Sequence, residues 1–471
     1  MFEYVFVSIS LLLLSLAMLG MVYWSKKIAR GLSVTPIIID LIFFFIFVKI
    51  LLYYLLPAFM RILSGYQFER QDQVDIFSLV TIYSIEFISW SCWLTSFLVT
   101  LSIFNKKNKI INSSRFFYNT LANSKIVLSI IALGFILIIV SSLTRAEISP
   151  FFEPFKALFY SVGLTTGPML MILSLKYLGK KYFYLGLLTS LFGLLGIPTR
   201  GAVVYFVLFC LFLVWYVLKD KKSKIIIIGT ISLLVATYFI FGGLVSEGIF
   251  VNGSGTVQLK ETTPAEKQGV RSALEEIEWR FGASTRMGTA FLRMYDRGDA
   301  AGILPIKHSL MGFLPRSINP EKPIPNTIDP NDIYSQGMYL IYREIHGYDT
   351  YSMTEFPTGA HFYWEFGVLG VIFLSAISGL YVALCAHFFS KLGLVALPLM
   401  VAVFKPWGYM DPKIWVSDIV TQIYQIILPL ILLLFIIRFV RYGSKVLVKF
   451  ITYAAAPNKR SDLDVNARPP S

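Results

Sequence analysis

Charged residues are scarce in this sequence: they fill 15% of its 471 positions, where a soluble chain carries about a quarter. With 56% hydrophobic residues beside that shortage, a water-soluble globular protein is excluded and a polytopic membrane protein is expected. Cysteine is rarer still. Cys92, Cys210 and Cys385 all fall inside apolar runs, which excludes a disulfide framework and leaves no metal-ligand spacing. Internal repeats of the kind that build many transporters are absent. Acidic residues are outnumbered by lysine and arginine, 28 against 42, for a formal charge of +14. That excess collects in loops, where an anionic leaflet accounts for it without a nucleic-acid partner.

What is present is a series of long apolar runs. A hydrocarbon core about 30 Å thick needs roughly 20 apolar residues per helix. Runs near 4–24, 35–57, 77–104, 126–144, 157–175, 182–198, 201–218, 225–243, 360–388, 393–410 and 415–437 predict an all-α protein of about 11 spans. Basic residues cluster at alternate junctions: Lys26 to Arg30, Lys106 to Lys125, Lys176 to Lys181, Lys219 to Lys224, and Lys391. The positive-inside rule assigns these to the cytoplasm, with the tail from Arg438 onward, and an odd number of spans puts the N-terminus outside. The first span starts with acidic Glu3, lacks a basic leading region and reads as uncleaved. The expected organisation is eight spans over 1–243, a large extracytoplasmic loop over 244–359, three more spans over 360–440 and a cytoplasmic tail over 441–471.

The loop is not a featureless linker. From Pro264 to about Gly298 it reads as helix, with Val270, Leu274, Ile277 and Phe281 at spacings of three and four. The same stretch carries Arg271, Arg280, Arg286, Arg293 and Arg297, the last three sharing one face by their spacing. Glu276 precedes Arg280 by four, so a helix-surface ion pair is the plainer use of that arginine. The prolines of "GFLPRSINPEKPIPNTIDPND" (312–332), which carries Arg316, predict an irregular strap. Asp329 and Asp332 within it read as turn formers, with a metal pair as the weaker alternative. Five tyrosines between Tyr334 and Tyr351 suit packing against the membrane helices, or stacking on sugar rings. The loop ends in "TEFPTGAHFYWEFGVLG" (354–370), which returns to the membrane with His361 and Glu365 one turn apart and with Gly367 and Gly370 permitting close helix contact.

Two further features concern charge in apolar surroundings. "GLLGIPTRGAVVYFVLF" (193–209) sets Arg200 at the tip of a short hairpin whose turn Pro198 and Gly201 would mark; there it either snorkels to the headgroups or binds an anion. Lys49 and Glu86 lie at similar depth in the second and third spans, which predicts an ion pair, because an unpaired charge in hydrocarbon is costly.

In order along the chain, "GIPTRGAVVYF", "EEIEWRFGASTRM", "LPRSINPEKP" and "GAHFYWEFGVLG" resemble the Wzy-type repeat-unit polymerases of O-antigen, common-antigen and exopolysaccharide assembly. The resemblance covers roughly residues 180–420. The paired arginine and glycine motifs of some members match poorly here, with Arg271 and Gly282 at such a spacing. Membership would imply a GT-C-like glycosyltransferase of the bacterial inner membrane, free of metal and cofactor. It would transfer a growing glycan from undecaprenyl pyrophosphate to a lipid-linked repeat unit on the outer side, with a chain-length-determining protein as a possible partner. The residues fit that chemistry. Glycosyl transfer develops negative charge on a departing pyrophosphate, and the planar fork of arginine suits its oxygens. Arg200, Arg280, Arg286 and Arg316 are the candidate clamp, with Lys405 near the outer end of the tenth span, and His361 or Glu365 is the candidate base for the acceptor hydroxyl. An O-antigen ligase shares the donor and the fold type, and a flippase for the lipid-linked repeat unit would also need cations facing a pyrophosphate.

Overall fold

A computed structural model describes residues 2–32, 36–64, 76–105, 113–144, 155–195, 200–237, 288–313, 357–404 and 412–454. Among them there is no strand. The helices are α1 (Phe2–Arg30), α2 (Pro36–Ile50), α3 (Leu56–Ser64), α4 (Ile76–Asn105), α5 (Ser113–Thr144), α6 (Lys156–Leu173), α7 (Lys180–Leu195), α8 (Arg200–Val217), α9 (Lys221–Thr237), α10 (288–296), α11 (Leu304–Phe313), α12 (Thr358–Ser390), α13 (Ala396–Val403), α14 (Val416–Gln422) and α15 (Leu428–Ala454). Among the described residues, seven stretches are long and apolar enough to cross a membrane: Phe6–Arg30, Pro36–Met60, Ser78–Phe104, Ser124–Ser141, Lys156–Leu178, Thr358–Ser390 and Val416–Val440. Helices also occupy the other four expected positions, as α7, α8, α9 and α13, but their described apolar parts are shorter than a full span.

The sequence explains where the long helices deviate. A π-turn at Leu51–Leu55 joins α2 to α3, and another at Ile423–Ile427 joins α14 to α15. Each lies just ahead of a proline, Pro57 or Pro429, which has no N–H to donate back to the preceding turn. Arg30 donates two hydrogen bonds to Asp40 Oδ1, at 2.9 and 2.7 Å, and Lys26 stands 3.3 Å from the same oxygen, so one carboxylate ties the end of α1 to the start of α2. Asp220 starts α9 as an N-cap, accepting the Ser223 N–H at 2.7 Å. Hydrogen bonds from Ser223 hold its carboxyl below the usual carboxylate range.

Small residues let the helices touch. Between α6 and α7 a methyl group on Gly186 would meet the backbone of Met171 and Gly167 at 2.4 and 2.6 Å. Among the described elements the most extensive contact is α4 against α12. There Ser89 and Ser375 share a 2.7 Å hydrogen bond, Ser96 donates to Ala376 O at 2.7 Å, and a Cβ on Gly379 would lie 2.3 Å from Trp93 O. Backbone cannot rotate out of the way. Gly379→Ala should therefore part the two helices and cost about 1–3 kcal/mol, read as an earlier loss of monodisperse protein on heating in detergent. An unchanged melting temperature would show that α4 and α12 are not packed this closely.

Candidate functional site

The candidate site is built on the first two turns of α12. Regular helix runs from Thr358 to Glu365 and then breaks: Phe366 has φ −143° and ψ 25°, and Gly367 has φ 62° and ψ −149°. Gly367 is required here by its left-handed backbone, with the Tyr295 hydroxyl 2.4 Å from where a Cβ would stand. The close contact expected of Gly367 is made with Tyr295 of α10, and the same residue also makes the bend, which was not expected.

This eight-residue helix is held at both ends by other parts of the chain. At its N-terminus, Glu86 of α4 places Oε1 to accept the Gly359 N–H at 2.6 Å and the Ala360 N–H at 3.2 Å. These are two of the amide groups that a helix start leaves without partners. Glu86 Oε2 pairs with the ammonium of Lys413, and both side chains are fully buried. Lys413 Nζ also lies 4.4 Å from the centre of the Trp90 ring and 3.3 Å from Ser89 Oγ. Its own segment is pinned: Ile414 N–H donates to Ser378 Oγ at 2.7 Å and Thr358 Oγ1 to Lys413 O at 3.4 Å.

At the other end, Ala301 N–H and Gly302 N–H donate to the carbonyls of Trp364 and Glu365, both at 3.1 Å. The donors sit between α10 and α11, placed there by a Schellman ending of α10. Asp299 N–H reaches Met294 O, Gly298 N–H reaches Tyr295 O, and Gly298 has φ 90°. Trp364 Nε1 donates to Asp299 O at 2.7 Å. Phe291 and Met294 of α10 pack with Ile82, Ala360, Phe362 and Trp364 in a small apolar cluster separate from the main core, and α11 packs along α14.

His361 and Glu365 lie between these two clamps, at 0% and 1% side-chain exposure. The imidazole stacks on Trp415, 4.0 Å away and 3° from parallel, with Phe291 edge-on at 5.5 Å. His361 Nδ1 stands 3.0 Å from Glu365 Oε1. The approach is off the hydrogen-bond direction, so all four polar atoms of the pair lack a hydrogen-bond partner among the described residues. Buried polar groups left in that state are costly, and a site that takes up a donor or acceptor from a substrate is one place where they occur.

The other sequence candidates fare differently. Arg200 is the first residue of α8, and Gly201 lies inside that helix instead of in the turn expected for it. Arg280, Arg286, Arg316 and Lys405 lie outside the described residues, as do Arg271, Asp329, Asp332 and the strap from residue 314 onward. The helix expected to end near Gly298 does end there, as α10; its earlier part falls outside the described residues. The expected Lys49–Glu86 pair is overturned. Glu86 is taken by Lys413, and Lys49 lies over the Tyr53 ring at 4.5 Å. Equal depth was a sound reason to seek a partner, but α4 turns Glu86 toward α12, its main neighbour, and away from α2. Lys413 is the residue that sequence reasoning missed: it stands just ahead of an apolar run and reads as an interfacial lysine. No group of three His, Cys, Asp or Glu side chains that could hold a metal occurs among the described residues.

No family model, no curated protein and no solved structure matches this chain.

Proposed function

We propose that this protein is a GT-C-like membrane glycosyltransferase, with about 11 spans and a cytoplasmic C-terminus, that polymerises undecaprenyl-pyrophosphate-linked repeat units on the outer side of the bacterial inner membrane. The observation that carries the reading is the buried His361–Glu365 pair, whose polar atoms lack hydrogen-bond partners among the described residues, set in one of the four stretches on which the resemblance to repeat-unit polymerases rests. In the reaction the acceptor sugar hydroxyl loses its proton to this pair as its oxygen bonds the anomeric carbon of the donor glycan. The bond from that carbon to the pyrophosphate oxygen breaks, and the lipid pyrophosphate leaves as an anion. Arg200, Arg280, Arg286, Arg316 and Lys405 are proposed to stabilise that anion, with Arg200 well suited by its position at a helix start, where phosphates bind readily.

The test is purified protein with a synthetic lipid-pyrophosphate repeat unit, read as a ladder of polymer lengths. Arg200→Ala should abolish the ladder at normal protein level, and Arg200→Lys should recover it in part, because lysine keeps the charge and loses the bidentate fork. A normal ladder from Arg200→Ala would remove Arg200 from the site. In cells, loss of the protein should leave glycans capped with single repeats. Free polymer would instead indicate the ligase reading, and cytoplasmic accumulation of lipid-linked repeats the flippase.

A further inference from the structure

The Glu86–Lys413 pair has no place among the reacting groups, yet its carboxylate touches the helix that carries them. A buried ion pair is weak as a source of stability, since desolvation offsets its Coulomb energy and apolar replacements are often as stable. Stability alone is therefore a poor account of two charges at full burial. What this pair has that an apolar pair would lack is Glu86 Oε1, aimed at two backbone amides. Two turns of helix are too short to hold themselves in place. His361 lies one and two residues beyond the amides that Glu86 accepts, and Glu365 lies where Gly302 N–H closes the other end.

We infer that Glu86 and Lys413 are positioning residues: Glu86 Oε1 fixes the start of the Thr358–Glu365 helix and thereby the orientation of His361 and Glu365, and Lys413, paired with Oε2, keeps the carboxylate aimed. Neither touches the substrate. Which functional groups they position rests on the polymerase reading; the mechanical coupling does not. A single substitution would confuse two properties of the pair, the balance of charge and the presence of an acceptor facing Gly359 and Ala360.

Two double variants divide them. Glu86→Leu with Lys413→Met removes both charges and the acceptor. Glu86→Gln with Lys413→Met removes both charges but keeps an amide oxygen where Oε1 stands, and in both variants the methionine can lie against Trp90 as the lysine does. Each is compared with wild type in two measurements on detergent-purified, monodisperse protein. One is the rate at which diethyl pyrocarbonate acylates His361, followed by peptide mass spectrometry; the other is the kcat and KM of polymerisation. In wild type, full burial keeps acylation of His361 slow. The leucine variant should acylate His361 about tenfold faster, because its helix start opens locally. It should also lose about 100-fold in kcat, the scale of a misplacement near 1 Å, with KM within about threefold of wild type. The glutamine variant should stay at least about tenfold above it in kcat and near wild type in acylation.

Equal kcat and equal acylation in the two double variants would overturn the inference, because the acceptor would then be irrelevant. If wild type makes no polymer, the functional proposal fails while the acylation comparison still decides the coupling. If the leucine variant does not accumulate, Gly359→Ala replaces it: a Cβ there would lie 2.7 Å from Glu86 Oε1 and displace the cap with both charges kept. Faster acylation of His361 is expected from that variant as well, and an unchanged rate would overturn the inference.

Discussion

Lys413→Met, made alone, should leave little folded protein in the membrane. The change removes the one cationic partner that Glu86 has among the described residues and leaves its carboxylate at full burial between α4 and α12. Breaking such a pair from one side typically costs about 3–5 kcal/mol, a large share of the roughly 5–15 kcal/mol that separates a folded protein from its unfolded state. Glu86→Leu alone should do comparable harm by removing the carboxylate that faces the buried ammonium and freeing two helix amides. Combining the two should restore most of the folded protein, while combining Glu86→Leu with Lys49→Met should not. The measurement is the monodisperse fraction after extraction in mild detergent. Rescue by the Lys49 combination instead would reinstate the pairing that depth alone suggested.

A large loss of activity should also come from His361→Phe. Phenylalanine preserves a flat ring against Trp415 and the apolar contact with Phe291, the packing that His361 makes now, but it cannot take up a proton. If His361 serves only to pack, this variant keeps its rate. As part of the proton acceptor it should lose about 10²–10⁴ in kcat, the usual contribution of a positioned base. Glu365→Gln should fall alongside it, since the two side chains stand 3.0 Å apart. Polymer made at the wild-type rate by His361→Phe would send the search for the base to residues 314–356.

Much of this arrangement was legible in the sequence, for identifiable reasons. Apolar run length gave the helices, because hydrocarbon thickness constrains them so tightly. Gly298 gave the end of α10, because few residues other than glycine adopt a left-handed backbone there. The spacing of His361 and Glu365 gave their shared helix face. The break at Gly367 and the helix α11 were not legible: a glycine inside an apolar run reads as a packing residue, and Pro305 near the start of α11 reads as a breaker although a first helical turn tolerates proline. The partner of Glu86 was misread because sequence depth assumes that all helices begin at one level. Thr358 begins α12 beside Glu86, ten positions after Ile76 begins α4, which is about 15 Å along that helix. A lysine just ahead of a late span can therefore lie deep among the helices.

Glu86 and Lys413 are 327 positions apart. At about 5–20 residues added per second, the ribosome has yet to make the lysine for roughly 16–65 seconds after the glutamate is polymerised. Throughout that interval α4 holds an acidic group with no cation opposite it, at an insertion penalty of about 2.5–3.5 kcal/mol for a charge near a helix centre. The segment just ahead of the last span thus completes a charge pair that the third span begins. A nascent or truncated chain that stops short of Lys413 would hold Glu86 without this partner and Gly359 and Ala360 with a cap that nothing aims.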